Sequence, residues 1–387
     1  MSGQGLQDQA VIAGIAQSRF GRGLEETEYE LACDVILAAL ADAGIDPSEV
    51  DGLVSYSIES SDETAIGKAV GTGELTFFAR LPFGGGSAPA SVGLLAMAVA
   101  AGQCSVGVAF RSRKRASRQA RTWTRHGRGG EVAVGEEFSR AYGLVRPTDE
   151  VAMLARRYMH EYGATRDHLA NVALACNRHG SANPAAMSYQ RPLTREMYMA
   201  SRWVSEPLCL YDNCLESDGA LATVVVSAER SRSLRQTPVY IHSFAQGLPR
   251  QQHSMVNYFN DDPLYGPSWT CGRSLFARSE FQPQHIDVAQ IYDAFSPLVL
   301  LSLEGYGFCK RGEAGPFTED GGIEIGGRLP VNTSGGSLSE AYIHGFNLLV
   351  EGVRQVRGSS PNQVADVESS MVSGAEAVGT SALILRK

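Results

Sequence analysis

The sequence predicts an α/β protein built from two similar halves, with a large insertion in the first. Three observations predict it: a string of motifs that occurs twice in the same order, strand-like runs alternating with helical ones, and length. At 387 residues the chain exceeds what one core usually holds, since single cores stop growing at about 250–300 residues.

Taken in order, Val11–Gln17 (VIAGIAQ) reads as an opening strand and resembles VYIHSFAQ at Val239–Gln246. Residues 25–43 pair Leu31 with Val35 and Ile36 with Leu40 at i, i+4. That spacing gives an amphipathic helix, stopped by Gly44 and Pro47. IDPSEVDGLVSY (Ile45–Tyr56) then matches FQPQHIDVAQIY (Phe281–Tyr292), pairing Pro47 with Pro283, Asp51 with Asp287 and Tyr56 with Tyr292. The glycine-rich entry GGGSAPASVGLLAMAVAAG resembles SGGSLSEAYIHGFNLLVEG, and its apolar stretch Ser91–Ala101 reads as a buried helix. SDGALATVVVS (Ser217–Ser227) and AVGTSALIL (Ala377–Leu385) read as closing strands. Four matches in one order indicate a duplication, and strand–helix alternation favours helix-covered mixed sheets. The break falls near RSRSLRQT at 230–237, giving halves of 1–235 and 236–387. Residues 111–215 have no counterpart in the second half and form the insertion, with helices expected near 149–163 and 166–179.

Bulk properties exclude several classes. A net charge of −8 argues against general nucleic-acid binding. The seven cysteines are scattered and odd in number, which suits reduced thiols in a cytoplasm better than a disulfide framework. Only Cys209 and Cys214 lie close together, and no second pair completes a zinc pattern. The polar start MSGQGLQDQ does not read as a signal peptide. No apolar run reaches membrane-spanning length. A cytoplasmic protein without a membrane span is expected.

The stretch Asn332–Gly345, NTSGGSLSEAYIHG, concentrates chemistry in one loop. Gly335 and Gly336 permit tight turns and close approach to main-chain N–H groups, and a helix start behind them offers partial positive charge. Tyr342 and His344 can both move protons. The loop reads as a site for acyl or carbonyl chemistry. A second feature is Arg111–Arg128, with seven Arg, one Lys and no acid. Such a run is a solvated face, a surface for the phosphates of CoA or a docking site for an acidic partner.

YDNCLESDGA (Tyr211–Ala220), YDAF (Tyr292–Phe295) and NTSGGSLSEAYIHG, set in this repeat order, resemble the thiolase superfamily, in its lipid-transfer, sterol-carrier-protein-X-like branch. The resemblance implies a thiolase fold of five αβαβα layers. It does not carry thiolase chemistry. Ser87 stands where a thiolase has its nucleophilic Cys, Tyr292 where it has Asn, Tyr342 where it has His, and Met371 where it has a second Cys. Serine replaces a thiolate poorly without a base. The pattern is similar to the aldolases that end bacterial steroid side-chain degradation. The resemblance implies retro-aldol cleavage of a steroid acyl-CoA with a tertiary β-hydroxyl, of the C17 type, to a steroid ketone and a short acyl-CoA such as propionyl-CoA. In this reading Tyr292 and Tyr342 are the acid/base pair, with His344 assisting. Ser87, Asp293, Gly335, Gly336 and Gly345 contact substrate, and backbone N–H groups at the glycines hold the thioester oxygen. No metal or organic cofactor is called for, CoA being part of the substrate. A homodimer is expected, together with a small OB-fold partner containing domain of unknown function 35. The alternatives are a non-catalytic acyl-CoA or lipid-binding scaffold, and residual thiolase activity through another Cys.

Overall fold

The computed structural model describes residues 5–56, 61–115, 139, 141–252, 255 and 260–387. Strands β1 (Ala10–Gln17), β2 (Gly52–Tyr56), β3 (Phe77–Leu81), β4 (Val106–Lys114) and β7 (Asp218–Ser227) belong to the first half. β5 (Trp203–Ser205) and β6 (Leu208–Cys209) pair only with each other. The second half contributes β8 (Val239–Gly247), β9 (Val288–Gln290), β10 (Ser369–Ser373) and β11 (Thr380–Arg386). The strand order is β3-β2-β4-β7-β1-β8-β11-β10-β9.

This order reads the same outward from the middle, as a duplication requires. β1 and β8 are the innermost strands, joined only through Val11–Tyr240 and Ile12–Val239. Outward from each comes an antiparallel closing strand, β7 or β11. A further antiparallel strand follows, β4 or β10, and then a parallel one, β2 or β9. The paired segments of the sequence therefore occupy matching places, and β3 is an extra edge.

Helices fill the layers. α1 (Glu28–Ala43) covers β1, β7 and β4 on the outside of the first half-sheet. Thr27 and Glu30 cap its start reciprocally, and Gly44 in the left-handed region (φ 74°) ends it, as the sequence signals require. α2 (Glu63–Val70) sits beside it. α3 (Ala88–Ala100) touches strands of both half-sheets, which explains why its sequence is apolar on every side. α4 (Pro147–Tyr162) and α5 (Arg166–Ala182) lie between β4 and β7 in sequence. α6 (Pro267–Phe276) covers β8 and β11, and α7 (Ser296–Gly305) packs on α6 and α5. α8 (Phe346–Arg357), like α3, contacts both half-sheets and α3 itself. The layers run α1, first half-sheet, α3 with α8, second half-sheet, α6. Among the described residues no helix is long and apolar enough to cross a membrane.

Candidate active site

The two central helices begin close together, Gly345 facing Ala88. Beside their starts opens a cavity of about 650 Å³, well within the range of small-molecule sites. Its walls are mostly apolar, from Phe83, Leu215, Leu248, Phe295, Leu298 and Val378, with Arg115 and Arg146 as its cations. Tyr292, Tyr342 and His344 all line it.

Each is placed by a local device. Tyr292 leaves the end of β9, where Asn332 imitates a strand neighbour. The Asn332 side chain accepts from the Ile291 N–H (2.7 Å) and donates to the Ile291 carbonyl (2.8 Å). The Tyr292 ring lies between two glycines: a Cβ on Gly85 would fall 2.1 Å from its hydroxyl, and one on Gly345 2.9 Å from its ring. Tyr342 donates its backbone N–H to Ser217 Oγ (3.0 Å). The two phenol oxygens are 2.7 Å apart and buried, with the rings edge to face. The Arg115 guanidinium lies 4.9 Å from the centre of the Tyr342 ring. Burial raises both phenols above the ordinary tyrosine range, Tyr292 the further, while Arg115 pulls each back.

His344 is held from behind. Arg111 Nη2 donates to its Nδ1 (2.9 Å), and Arg111 Nη1 donates to the Tyr56 carbonyl (2.6 Å). The Tyr56 hydroxyl donates to the His344 carbonyl (3.0 Å). Burial, followed by the charges of Arg111, Arg115 and Arg113, holds the His344 imidazolium pKa well below its usual value. The ring is neutral.

The remaining expected contacts stand behind the wall, not on it. Ser87 Oγ accepts from the Phe83 N–H (3.1 Å) and is fully buried, which steadies the turn carrying Phe83 and Gly85. Asp293 accepts from the Ser337 and Leu338 N–H groups (2.8 and 3.2 Å), capping the short helix Gly336–Ser339. Burial moves its pKa up to about 6. Gly335 (φ 111°) leaves room for the Gly180 backbone and donates to the Asn332 carbonyl. Gly336 (φ 61°) leaves room for Asp293. None of these four lines the cavity. Gly345 serves it only by backing Tyr292.

Sequence reasoning missed Arg111, Arg115 and Tyr56. The basic run starts inside the protein, not on a solvated face. Arg111 is fully buried, Arg113 pairs with Glu28 (3.2 Å) and Arg115 reaches Tyr342. Residues 116–128 of that run lie outside the described residues. Among the cysteines, Cys214 lines the cavity, but burial pushes its thiol up to about 12. A thiol so raised is no nucleophile at neutral pH. Among the described residues no cluster of three or more His, Cys, Asp or Glu could hold a metal ion.

Mirrored half-sheets around two buried helices, with a cavity at the starts of those helices, define a duplicated five-layer α/β protein. The chain belongs to the thiolase family: "Thiolase, N-terminal domain" matches residues 10–200 and "Thiolase C-terminal domain-like" matches residues 251–385. It is 46% identical to the 17-hydroxy-3-oxo-4-pregnene-20-carboxyl-CoA lyase of Mycobacterium tuberculosis, over 98% of this chain and 100% of that protein. It is also 46% identical to the steroid side-chain-cleaving aldolase of Thermomonospora curvata, over 98% of each chain. The solved structure described as "Ltp2-ChsH2(DUF35) aldolase" superposes with a TM-score of 0.93 at 45% identity, again over 98% of each chain.

Proposed function

We propose that this enzyme is a carbon–carbon lyase. It cleaves the acyl-CoA thioester of a steroid side chain bearing a tertiary β-hydroxyl, giving a 17-keto steroid and a short acyl-CoA such as propionyl-CoA. The observation that carries the reading is the buried 2.7 Å pair of Tyr292 and Tyr342 at the cavity wall, in a site without an activated thiol. The two 46% identical relatives, a lyase and an aldolase by name, support the same class.

A base takes the β-hydroxyl proton as the carbonyl forms. The Cα–Cβ bond breaks, its electron pair passes into the thioester as an enolate, and an acid returns a proton to Cα. No atom is gained or lost, and no acyl-enzyme is formed. Neither phenol is ionised at rest, so proton transfer is concerted with bond cleavage. Tyr342, which Arg115 makes the easier phenol to ionise, passes its own proton to Tyr292 across their hydrogen bond as it takes the hydroxyl proton. Tyr292 passes its proton to Cα, so both phenols end as they began. The cavity's apolar walls suit a steroid, and Arg115, beside Tyr342, suits the negative charge of the thioester enolate, while Arg146 is paired with Asp149. No metal or organic cofactor has a part in these steps.

The enzyme works in the cytoplasm as a homodimer joined to a small OB-fold partner containing domain of unknown function 35. The support for the partner is the solved relative, which is named as ChsH2(DUF35) together with the aldolase. To test this, the chain is purified alone and together with such a partner, and acyl-CoA release from a 17-hydroxy steroid 20-carboxyl-CoA is followed by chromatography. Equimolar steroid ketone and acyl-CoA are expected. Tight binding without cleavage by the complex would instead establish a non-catalytic scaffold.

A further inference from the structure

We infer that His344 is a hydrogen-bond donor to the thioester oxygen, locked by Arg111 in the tautomer that carries its proton on Nε2. The inference rests on the lyase reading for its substrate and on geometry for the rest.

A guanidinium has donors and no acceptor. Arg111 Nη2 sits 2.9 Å from His344 Nδ1, so Nδ1 presents its lone pair there. The imidazole then has one place left for a proton, Nε2. The titratable and charged groups facing the ring are Arg111 and Arg113 from β4, Arg115 just beyond that strand, Tyr56 from β2 and Tyr342 from the same loop. Three are cationic and none is anionic, so their charges oppose a second proton. Nε2 makes no hydrogen bond among the described residues and is not among their sealed, partnerless atoms. The residue lines the cavity, with its ring 5.1 Å from that of Tyr342.

The backbone shows how firmly this ring is set. His344 has φ 53°, a left-handed conformation that side chains other than glycine seldom adopt and that needs support from its surroundings. Tyr56 holds the His344 carbonyl, and Arg111 lies 4.6 Å over the Tyr56 ring while bonding both residues. Arg111 and Tyr56 are thus positioning residues. The Gly335 N–H is taken by the Asn332 carbonyl, whereas His344 presents a preorganised donor on the cavity wall. A neutral imidazole is a weak acid, so it holds the oxygen while the phenols move protons.

Nitrogen-15 spectra of the ring, recorded on the substrate-free full chain with His344→Ala for assignment, read the tautomer directly. A single neutral Nε2–H form is expected through neutral pH, and Arg111→Met should convert it to a mixture. An imidazolium, or an Nδ1–H form, in the unmodified chain would overturn the inference. In turnover with a 17-hydroxy steroid 20-carboxyl-CoA, His344→Ala should lower kcat about 10²–10³-fold with little change in KM. His344→Gln, which keeps an N–H donor, should recover part of that loss. An active parent with an equally active His344→Ala variant would overturn the donor role alone. A parent that never cleaves the substrate would instead remove the lyase reading beneath it.

Discussion

Replacing Tyr342 with Phe removes one oxygen from the centre of the site and leaves the ring where it is. Arg115 keeps an aromatic face to lie on, and the Tyr342 N–H keeps Ser217. The loss is therefore the 2.7 Å phenol pair together with the hydrogen bond between Arg115 and the Tyr342 hydroxyl. The Tyr292 hydroxyl, buried and without that partner, costs about 1–3 kcal/mol. That lowers Tm by at most a few degrees, since the shift is about 2–4 °C per kcal/mol for chains of about 150–250 residues and smaller for a longer one, so the chain stays folded. The chemical loss is larger: deleting a general acid–base group lowers kcat about 10²–10⁴-fold. Tyr292→Phe should fall in the same range, and the double variant should lose little beyond the worse single one, because the two phenols act as a unit. The assay is chromatographic acyl-CoA release, with a thermal melt to certify folding. Two folded single variants that cleave substrate within a few-fold of the parent would refute the tyrosine assignment.

Gly85→Ala tests the same placement from the opposite side of the ring. Its Cβ would lie 2.1 Å from the Tyr292 hydroxyl, so the phenol must move, and activity should drop at least about 10²-fold. Overpacking should cost about 1–3 kcal/mol of stability in chemical denaturation. The pH dependence of stability has a definite sign. Burial raises Asp293 to about 6, Glu340 to about 7 and Glu376 to about 8. Each binds a proton more tightly folded than unfolded, so its contribution is complete below about pH 4 and is lost as pH rises through the folded value. Thermal melts should therefore show Tm falling between about pH 4 and 8 on account of these groups. Glu376→Gln, which cannot ionise, should flatten the upper part of that slope.

Much of the fold was legible because it is written twice. Pro47 with Pro283, Asp51 with Asp287 and the glycine-rich helix entries recur in one order, and the strand order mirrors them. The tyrosine pair was legible only through the thiolase resemblance. In the sequence Tyr292 closes an apolar run like its repeat partner Tyr56, and nothing local separates the two. The rest was hidden by tertiary structure. Arg111 sits in a basic run whose composition suggests solvent, yet it is fully buried. Its burial depends on the Tyr56 carbonyl and on His344, which lies 233 positions along the chain. Gly335 and Gly336 do need their left-handed backbone, as glycines in such a loop suggest. What they make room for is the Gly180 backbone and Asp293, a packing demand no spacing rule distinguishes from a ligand's. Ser87 and Asp293 illustrate the same limit: each holds backbone N–H groups that shape the wall without forming it.

The central claim is carbon–carbon cleavage through a thioester enolate protonated by the tyrosine pair, with no acyl-enzyme. Turnover in deuterium oxide, with the released acyl-CoA and the intact protein weighed by mass spectrometry, tests it most directly. One deuterium at Cα of each acyl-CoA, an equal amount of steroid ketone and an unmodified protein are predicted. An acyl group trapped on a cysteine, or steroid ketone accompanied by unlabelled acyl-CoA, would contradict the mechanism.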